Sequence, residues 1–241
     1  MLKKMKNLEI CLSPELVHLY DFNNKNIVIV DIFRASSTMV AALANDVTSI
    51  TPFMNLEECR VMSKKGYIIA GERNGLTAEG FELGNSPLAF LEKKYATKKI
   101  AMTTTNGTVA IQLAKGKAKN ILLGAFPNLK ATADFLSAMS EDVIILCAGW
   151  KGKFNLEDSL YAGALTKELK GNFKIECDTA IALESLYDTH SKDIKGFLSQ
   201  ASHTKRLQNQ NIEADIDFCL SLNIYDLVGI LRENEFFGEK N

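Results

Sequence analysis

Ile100-Ala101-Met102-Thr103-Thr104-Thr105-Asn106-Gly107-Thr108-Val109-Ala110-Ile111-Gln112-Leu113-Ala114 runs from an apolar strand-like segment, through a turn of threonines, asparagine and glycine, into an apolar helix-like one. A polar turn where a strand hands over to a helix belongs at the carboxyl edge of an open α/β sheet, where such sheets bind ligands. The helix start adds unpaired N–H groups and the positive end of a dipole. The stretch therefore reads as a site for an oxyanion: phosphate, sulfonate or carboxylate. A polar helix cap is the plainer alternative, but one side chain suffices for that, and Thr103, Thr104, Thr105 and Thr108 bring four hydroxyls.

The same alternation extends outward. Apolar, β-branched runs recur at 27–30, 47–50, 67–70, 100–102, 121–123 and 143–146. Several show no polar alternation, as expected of strands covered on both faces. Helical candidates lie between them at 36–44, 56–65, 86–94, 107–115 and 128–139. Alternating strands and helices predict an α/β fold with a mostly parallel sheet in a three-layer α/β/α arrangement. Beyond Gly149 the helical stretches 156–169, 179–187, 194–199 and 213–222 follow without strong strand runs, so the C-terminal portion reads as helix-rich. Residues 1–241 are expected to form one domain, two α/β halves meeting near residues 125–150 being the alternative division.

The net charge of −1 gives no bulk attraction toward nucleic acid or a membrane, so any anion affinity must come from a local site. No run approaches the ~18 apolar residues of a membrane span, and none follows the basic N-terminus as a signal peptide would. Cys11, Cys59, Cys147, Cys177 and Cys219 are scattered and form no CxxC pair, reading as reduced thiols of a cytoplasmic protein.

Two further strand ends carry chemistry. In Val30-Asp31-Ile32-Phe33-Arg34-Ala35-Ser36-Ser37-Thr38, an acid ends a buried strand, a costly position unless it is paired or binds a metal. Arg34 can grip phosphate or carboxylate with two prongs, or pair with Asp31, while Ser36, Ser37 and Thr38 open the next helix. In Cys147-Ala148-Gly149-Trp150-Lys151-Gly152-Lys153, glycines permit a close turn and Lys151 and Lys153 bring charge; Glu157 and Asp158 follow in the first turns of a helix. A long loop, Gly71 to Pro87, holds four glycines, Arg73 and three glutamates, and ends in Gly84-Asn85-Ser86-Pro87 as a helix start. Lys153 stands where a cysteine phosphatase loop needs arginine, so Cys147 is discounted as a nucleophile. GxxxxGK[ST], GxGxxG and paired histidines are absent, and Asp31-Ile32-Phe33 lacks the second aspartate of haloacid-dehalogenase phosphatases.

Taken in order, Asp31 to Thr38, Gly71-Glu72-Arg73, Gly80 to Pro87, Thr103 to Thr108, Cys147-Ala148-Gly149, Glu157-Asp158 and Ser202-His203 resemble the 2-phosphosulfolactate phosphatase family, the ComB-like proteins of coenzyme M biosynthesis. The resemblance implies a magnesium-dependent phosphomonoester hydrolase that releases phosphate from 2-phospho-3-sulfolactate. It implies Asp31, Arg34, Glu157 and Asp158 as catalytic residues and Asp31, Glu72 and Asp158 as Mg2+ ligands, with Glu157 as substitute. Substrate contacts fall to Ser36, Ser37, Thr38, Arg73, Asn85, Thr104, Thr105, Asn106, Gly107, Thr108, Lys151 and Lys153. His203 would transfer as a proton donor, although Thr204 replaces the glycine expected after it. The expected partner is a small anionic phosphorylated substrate, with no nucleic acid and no membrane, and a symmetric homodimer is the default assembly. Two other readings are a phosphatase of this fold for another phosphorylated hydroxy acid and a non-catalytic binding module for a small sulfonate or phosphate.

Overall fold

Asn26–Val30, apolar after its first residue, and Val143–Cys147 are buried at every position, as strands covered on both faces must be. The computed structural model, which describes residues 5–73, 75–208 and 212–240, builds a sheet around them. In chain order the first half contains β1 (Lys6–Cys11), β2 (Asn26–Val30), α1 (Ala35–Ala44), β3 (Ser49–Phe53), α2 (Leu56–Val61), β4 (Ile68–Arg73), β5 (Leu76–Thr77), β6 (Lys99–Thr103), α3 (Gly107–Ala114) and β7 (Asn120–Gly124). There follow α4 (Leu129–Ala138), β8 (Val143–Cys147), α5 (Leu156–Leu169), β9 (Phe173–Lys174), α6 (Asp178–His190), α7 (Ile194–Leu198), α8 (Ser202–Gln208), α9 (Glu213–Cys219), β10 (Val228–Arg232) and β11 (Glu235–Glu239).

The strand order is β5-β4-β6-β3-β11-β10-β7-β2-β8-β1-β9. Two parallel blocks, β4-β6-β3 and β7-β2-β8-β1-β9, are joined by the β10–β11 hairpin, which is antiparallel to both. Alternate residues of β2 face opposite layers. Val28 and Val30 pack with residues of α4 and α5, and Ile27 and Ile29 with residues of α1 and α3. The α/β architecture with helices on both faces is therefore as expected.

The hairpin gives the blocks opposite senses along the ladder, yet their carboxyl ends meet. Lys151 N, beyond β8, donates to Asn106 Oδ1, beyond β6, at 3.1 Å.

Three differences from the sequence expectation have physical causes. The C-terminal portion is helix-rich through α9 but ends in a hairpin at the centre of the sheet. Its turn, Glu233-Asn234, contains no glycine, and Glu233 takes φ 55° itself. β1 also escaped notice, because Lys6–Cys11 carries Lys6, Asn7 and Glu9 and becomes a strand by pairing with β8. Finally, the helix expected over 86–94 is one 3-10 turn, Pro87–Phe90, and Lys93 and Thr97 beyond it adopt positive φ. No helix among the described residues is long and apolar enough to cross a membrane.

Candidate active site

Asp31 follows β2 and is held by the turn it begins. Its backbone N–H donates to Ser36 Oγ at 3.0 Å, its carbonyl accepts from Ser36 N at 3.0 Å, and Oδ1 accepts from Ala35 N at 3.2 Å. Oδ2 accepts no hydrogen bond among the described residues, and faces Gly107 so closely that a Cβ there would lie 2.9 Å from it. The three hydroxyls opening α1 are spent inward: Ser36 Oγ donates to Gly124 O at 2.7 Å, Ser37 Oγ to Ile32 O at 2.9 Å, and Thr38 Oγ1 to Asn85 O at 3.2 Å. They build the turn and present no free proton to a substrate. Asn85 itself is buried, with Oδ1 unpaired. Arg34 does not pair with Asp31. Its Nη1 donates to Asp215 Oδ2, in a pair 5% exposed on each side, and Nη2 donates to Gly75 O at 3.3 Å.

Across from Asp31, the threonine turn is braced by Glu72 at the end of β4. Glu72 Oε1 accepts from Thr105 N at 2.8 Å and Thr105 Oγ1 at 2.7 Å, and Oε2 accepts from Gly75 N at 2.8 Å. Thr108 Oγ1 donates to Thr104 O at 2.8 Å, and Thr108 N to Thr104 Oγ1 at 3.3 Å. Arg73 donates to Glu72 O at 2.7 Å and Thr103 Oγ1 at 3.4 Å. The N–H groups of Asn106 and Gly107, at the start of α3, carry no hydrogen bond among the described residues. The Thr105 and Thr108 hydroxyl protons are spent within the turn, while the Asn106 and Gly107 amides and the Thr103 and Thr104 hydroxyls donate to nothing among the described residues.

On the third side, Glu157 and Asp158 near the start of α5 are fully buried. Asp158 Oδ1 accepts from Ile32 N at 2.8 Å and Oδ2 from Gly149 N at 3.1 Å, which ties α5 to the ends of β2 and β8. Glu157 Oε1 lies 2.5 Å from His203 Nδ1, and Glu157 Oε2 is buried and unpartnered. The His203 ring is wedged between Trp150, at a centroid distance of 5.1 Å, and Phe33, at 6.2 Å. Lys151 and Lys153 are exposed; Lys151 holds Asn106 with its backbone, its ammonium lying 5.5 Å from the centre of the Trp150 ring.

The site is acid-rich and short of cations. Burial pushes the Asp31 carboxyl up to about 6, with Glu72 and Glu157 adding and the Ala35 N–H and His203 opposing. Asp158 is held well above the usual carboxylate range by burial and by Asp31 and Glu157, against the Ile32 and Gly149 amides. Burial likewise pushes the Cys147 thiol well up, which removes the thiolate a cysteine nucleophile would need.

Among the described residues no three His, Cys, Asp or Glu side chains converge as a metal cage. Of the three expected ligands, Glu72 and Asp158 have both oxygens engaged by N–H groups, and Asp31 Oδ2 is the open one. That donor set fits magnesium, which keeps several waters and takes one or two carboxylates with substrate phosphate. A cation there would offset the burial, and the lesser repulsion from Glu72 and Glu157, that raise Asp31.

Asp31, Gly107, Glu157, Asp158 and His203 thus gather at the carboxyl ends of β2, β6 and β8, with Glu72 bracing the threonine turn. Sequence reading missed Asp215, which stands 181 residues from Arg34 with no local pattern around it. It also missed the coupling of Glu157 to His203, which α8 brings in from 46 residues away.

The model of the family described as 2-phosphosulpholactate phosphatase matches residues 11–234. A Thermotoga maritima protein named "Probable 2-phosphosulfolactate phosphatase" is 38% identical over 209 residues, covering 87% of this chain and 90% of its own. Proteins of the same name from Caldanaerobacter subterraneus subsp. tengcongensis (35% over 227 residues; 90% and 94%) and Clostridium novyi (36% over 225; 92% and 95%) are similar along nearly their full lengths.

Proposed function

This chain belongs to the 2-phosphosulpholactate phosphatase family, and we propose that it hydrolyses 2-phospho-3-sulfolactate to sulfolactate and phosphate with magnesium as cofactor. The observation that carries the reading is the meeting of an open helix N-terminus with an open carboxylate: the Asn106 and Gly107 amides at the start of α3 donate to nothing among the described residues, and a Cβ on Gly107 would lie 2.9 Å from Asp31 Oδ2. Amides at a helix start favour phosphate oxygens, and in phosphoryl transfer the protein mainly positions and neutralises charge. A carboxylate alone would repel phosphate, so Asp31 makes sense as a magnesium ligand. When bound, magnesium would draw charge from the phosphoryl oxygens and orient the group.

The rest falls to the chain's own residues. The α3 amides hold phosphate oxygens. Glu157 fixes His203 by accepting from Nδ1–H, which leaves Nε2 to give a proton to the hydroxy-acid oxygen as it departs from phosphorus. Trp150 and Phe33 limit water around that ring.

Phosphate release is measured with and without Mg2+ from 2-phosphosulfolactate, phospholactate and phosphoglycolate. Turnover is expected to require Mg2+, to be fastest on the sulfonated substrate, and to vanish in Asp31→Asn. Near-normal turnover by Asp31→Asn would sink the assignment.

A further inference from the structure

Asp215 lies outside every motif of the family resemblance, yet the structure sets it against two of them. Its carboxylate, 4% exposed, accepts from Arg34 Nη1 through Oδ2 and from Ser86 Oγ through Oδ1 at 2.6 Å. Since Arg34 Nη2 also donates to Gly75 O, one acid on α9 ties together the start of α1, the turn after β4 and the Gly84–Pro87 block. The pair is nearly charge-neutral as a unit. Arg34 therefore spends Nη1 on Asp215 and Nη2 on Gly75.

This clasp reaches the site in one step. Phe33, the residue before Arg34, presents its ring to His203 in a T-shaped contact. His203 itself sits on α8, the helix preceding α9 in the chain. A buried ion pair is weak evidence for net stability, since desolvation offsets most of the attraction; fixing register is its best-attested use.

We propose that Asp215 is a positioning residue: through Arg34 it holds Phe33 so that His203, packed against the Phe33 ring, keeps its place over the active site. The inference rests on His203 acting as the proton donor proposed above. It predicts a loss that depends on the leaving group, because an alkoxide needs a proton to depart and p-nitrophenolate does not.

The test compares kcat/KM for Asp215→Asn on 2-phosphosulfolactate and on p-nitrophenyl phosphate. The alkyl substrate is expected to lose about 10²-fold, the scale of general acid catalysis, and the aryl substrate less than about 3-fold. On a His203→Gln background Asp215→Asn is expected to cost nothing further. Equal proportional loss on both substrates, or a full further loss on the His203→Gln background, overturns the proposal. If Asp215→Asn does not fold, Ser86→Ala, which removes the second bond to the same carboxylate, is read in its place, with a smaller loss confined to the alkyl substrate. Wild-type protein without turnover on either substrate would count against the proposed function alone. Hydrogen exchange over residues 202–208 then decides the clasp: faster exchange in the variant supports it, and unchanged exchange overturns it.

Discussion

Gly107→Ala is the most direct probe of the junction between the two sheet blocks. A Cβ built there would stand 2.8 Å from Ala35 Cβ, 2.9 Å from Asp31 Oδ2 and 3.3 Å from Thr104 Oγ1. Carbon atoms in contact prefer roughly 3.5–4.0 Å, so α3 and α1 must separate by about 0.7 Å or more. None of these neighbours can yield by rotating a long side chain. Ala35 N also donates to Asp31 Oδ1, so moving Ala35 moves the carboxylate. Overpacking of this kind costs about 1–3 kcal/mol, against which the stiffer unfolded chain returns about 0.5–1 kcal/mol. At the middle of both ranges the net loss is about 1 kcal/mol, which lowers Tm by roughly 2–4 °C for a chain of this size. The effect on catalysis is larger, since misplacing a reacting group by about 1 Å can cost ~10²-fold. Calorimetry and phosphate-release kinetics on the same preparation separate the two. A variant with wild-type kcat and Tm would show that α3 does not press on Asp31, and the site as described would fall.

Two further outcomes follow from burial. Gly163, on α5, packs so tightly on α6 that a Cβ would lie 2.0 Å from the Leu183 carbonyl oxygen. Gly163→Ala is expected to cost about 3 kcal/mol, read as a lower urea midpoint at unchanged slope; a wild-type midpoint would mean α6 is not seated there. Asp31 concerns pH. Its folded value of about 6 exceeds the ordinary 3.8, so the folded state holds the proton more tightly, and stability declines as pH rises from roughly 4 through 6. The penalty is absent at pH 3 and complete at pH 8. In metal-free protein Asp31→Asn is therefore expected to gain urea resistance over wild type at pH 8 and little at pH 3. A variant weaker than wild type at pH 8 would contradict a raised carboxyl.

Much of the fold was legible because its signals are local. The all-apolar runs at 27–30 and 143–146 announce strands covered on both faces, and Leu156–Leu169 forms a helix over the span read from its pattern. Strands whose identity depends on a partner were not legible. Val228–Arg232 and Glu235–Glu239 are short, polar at their ends and joined without a glycine, yet they stand between the two parallel blocks. Their strand character comes from the ladders on either side.

The site divides along the same line. The sequence by itself determined that Asp31, the threonine turn and Glu157-Asp158 fall where strands give way to helices, because residue order and apolar period suffice for that. Tertiary structure alone decided how those polar groups are used. It turned Ser36, Ser37 and Thr38 inward, gave Arg34 to Asp215, set Glu72 under Thr105, and brought His203 against Glu157. A buried donor or acceptor must find a partner, and which partner is near depends on how distant segments pack. The threonine turn was thus readable as an anion site, but that the Asn106 and Gly107 amides stay open while Thr105 and Thr108 spend their hydroxyl protons could come only from the folded chain.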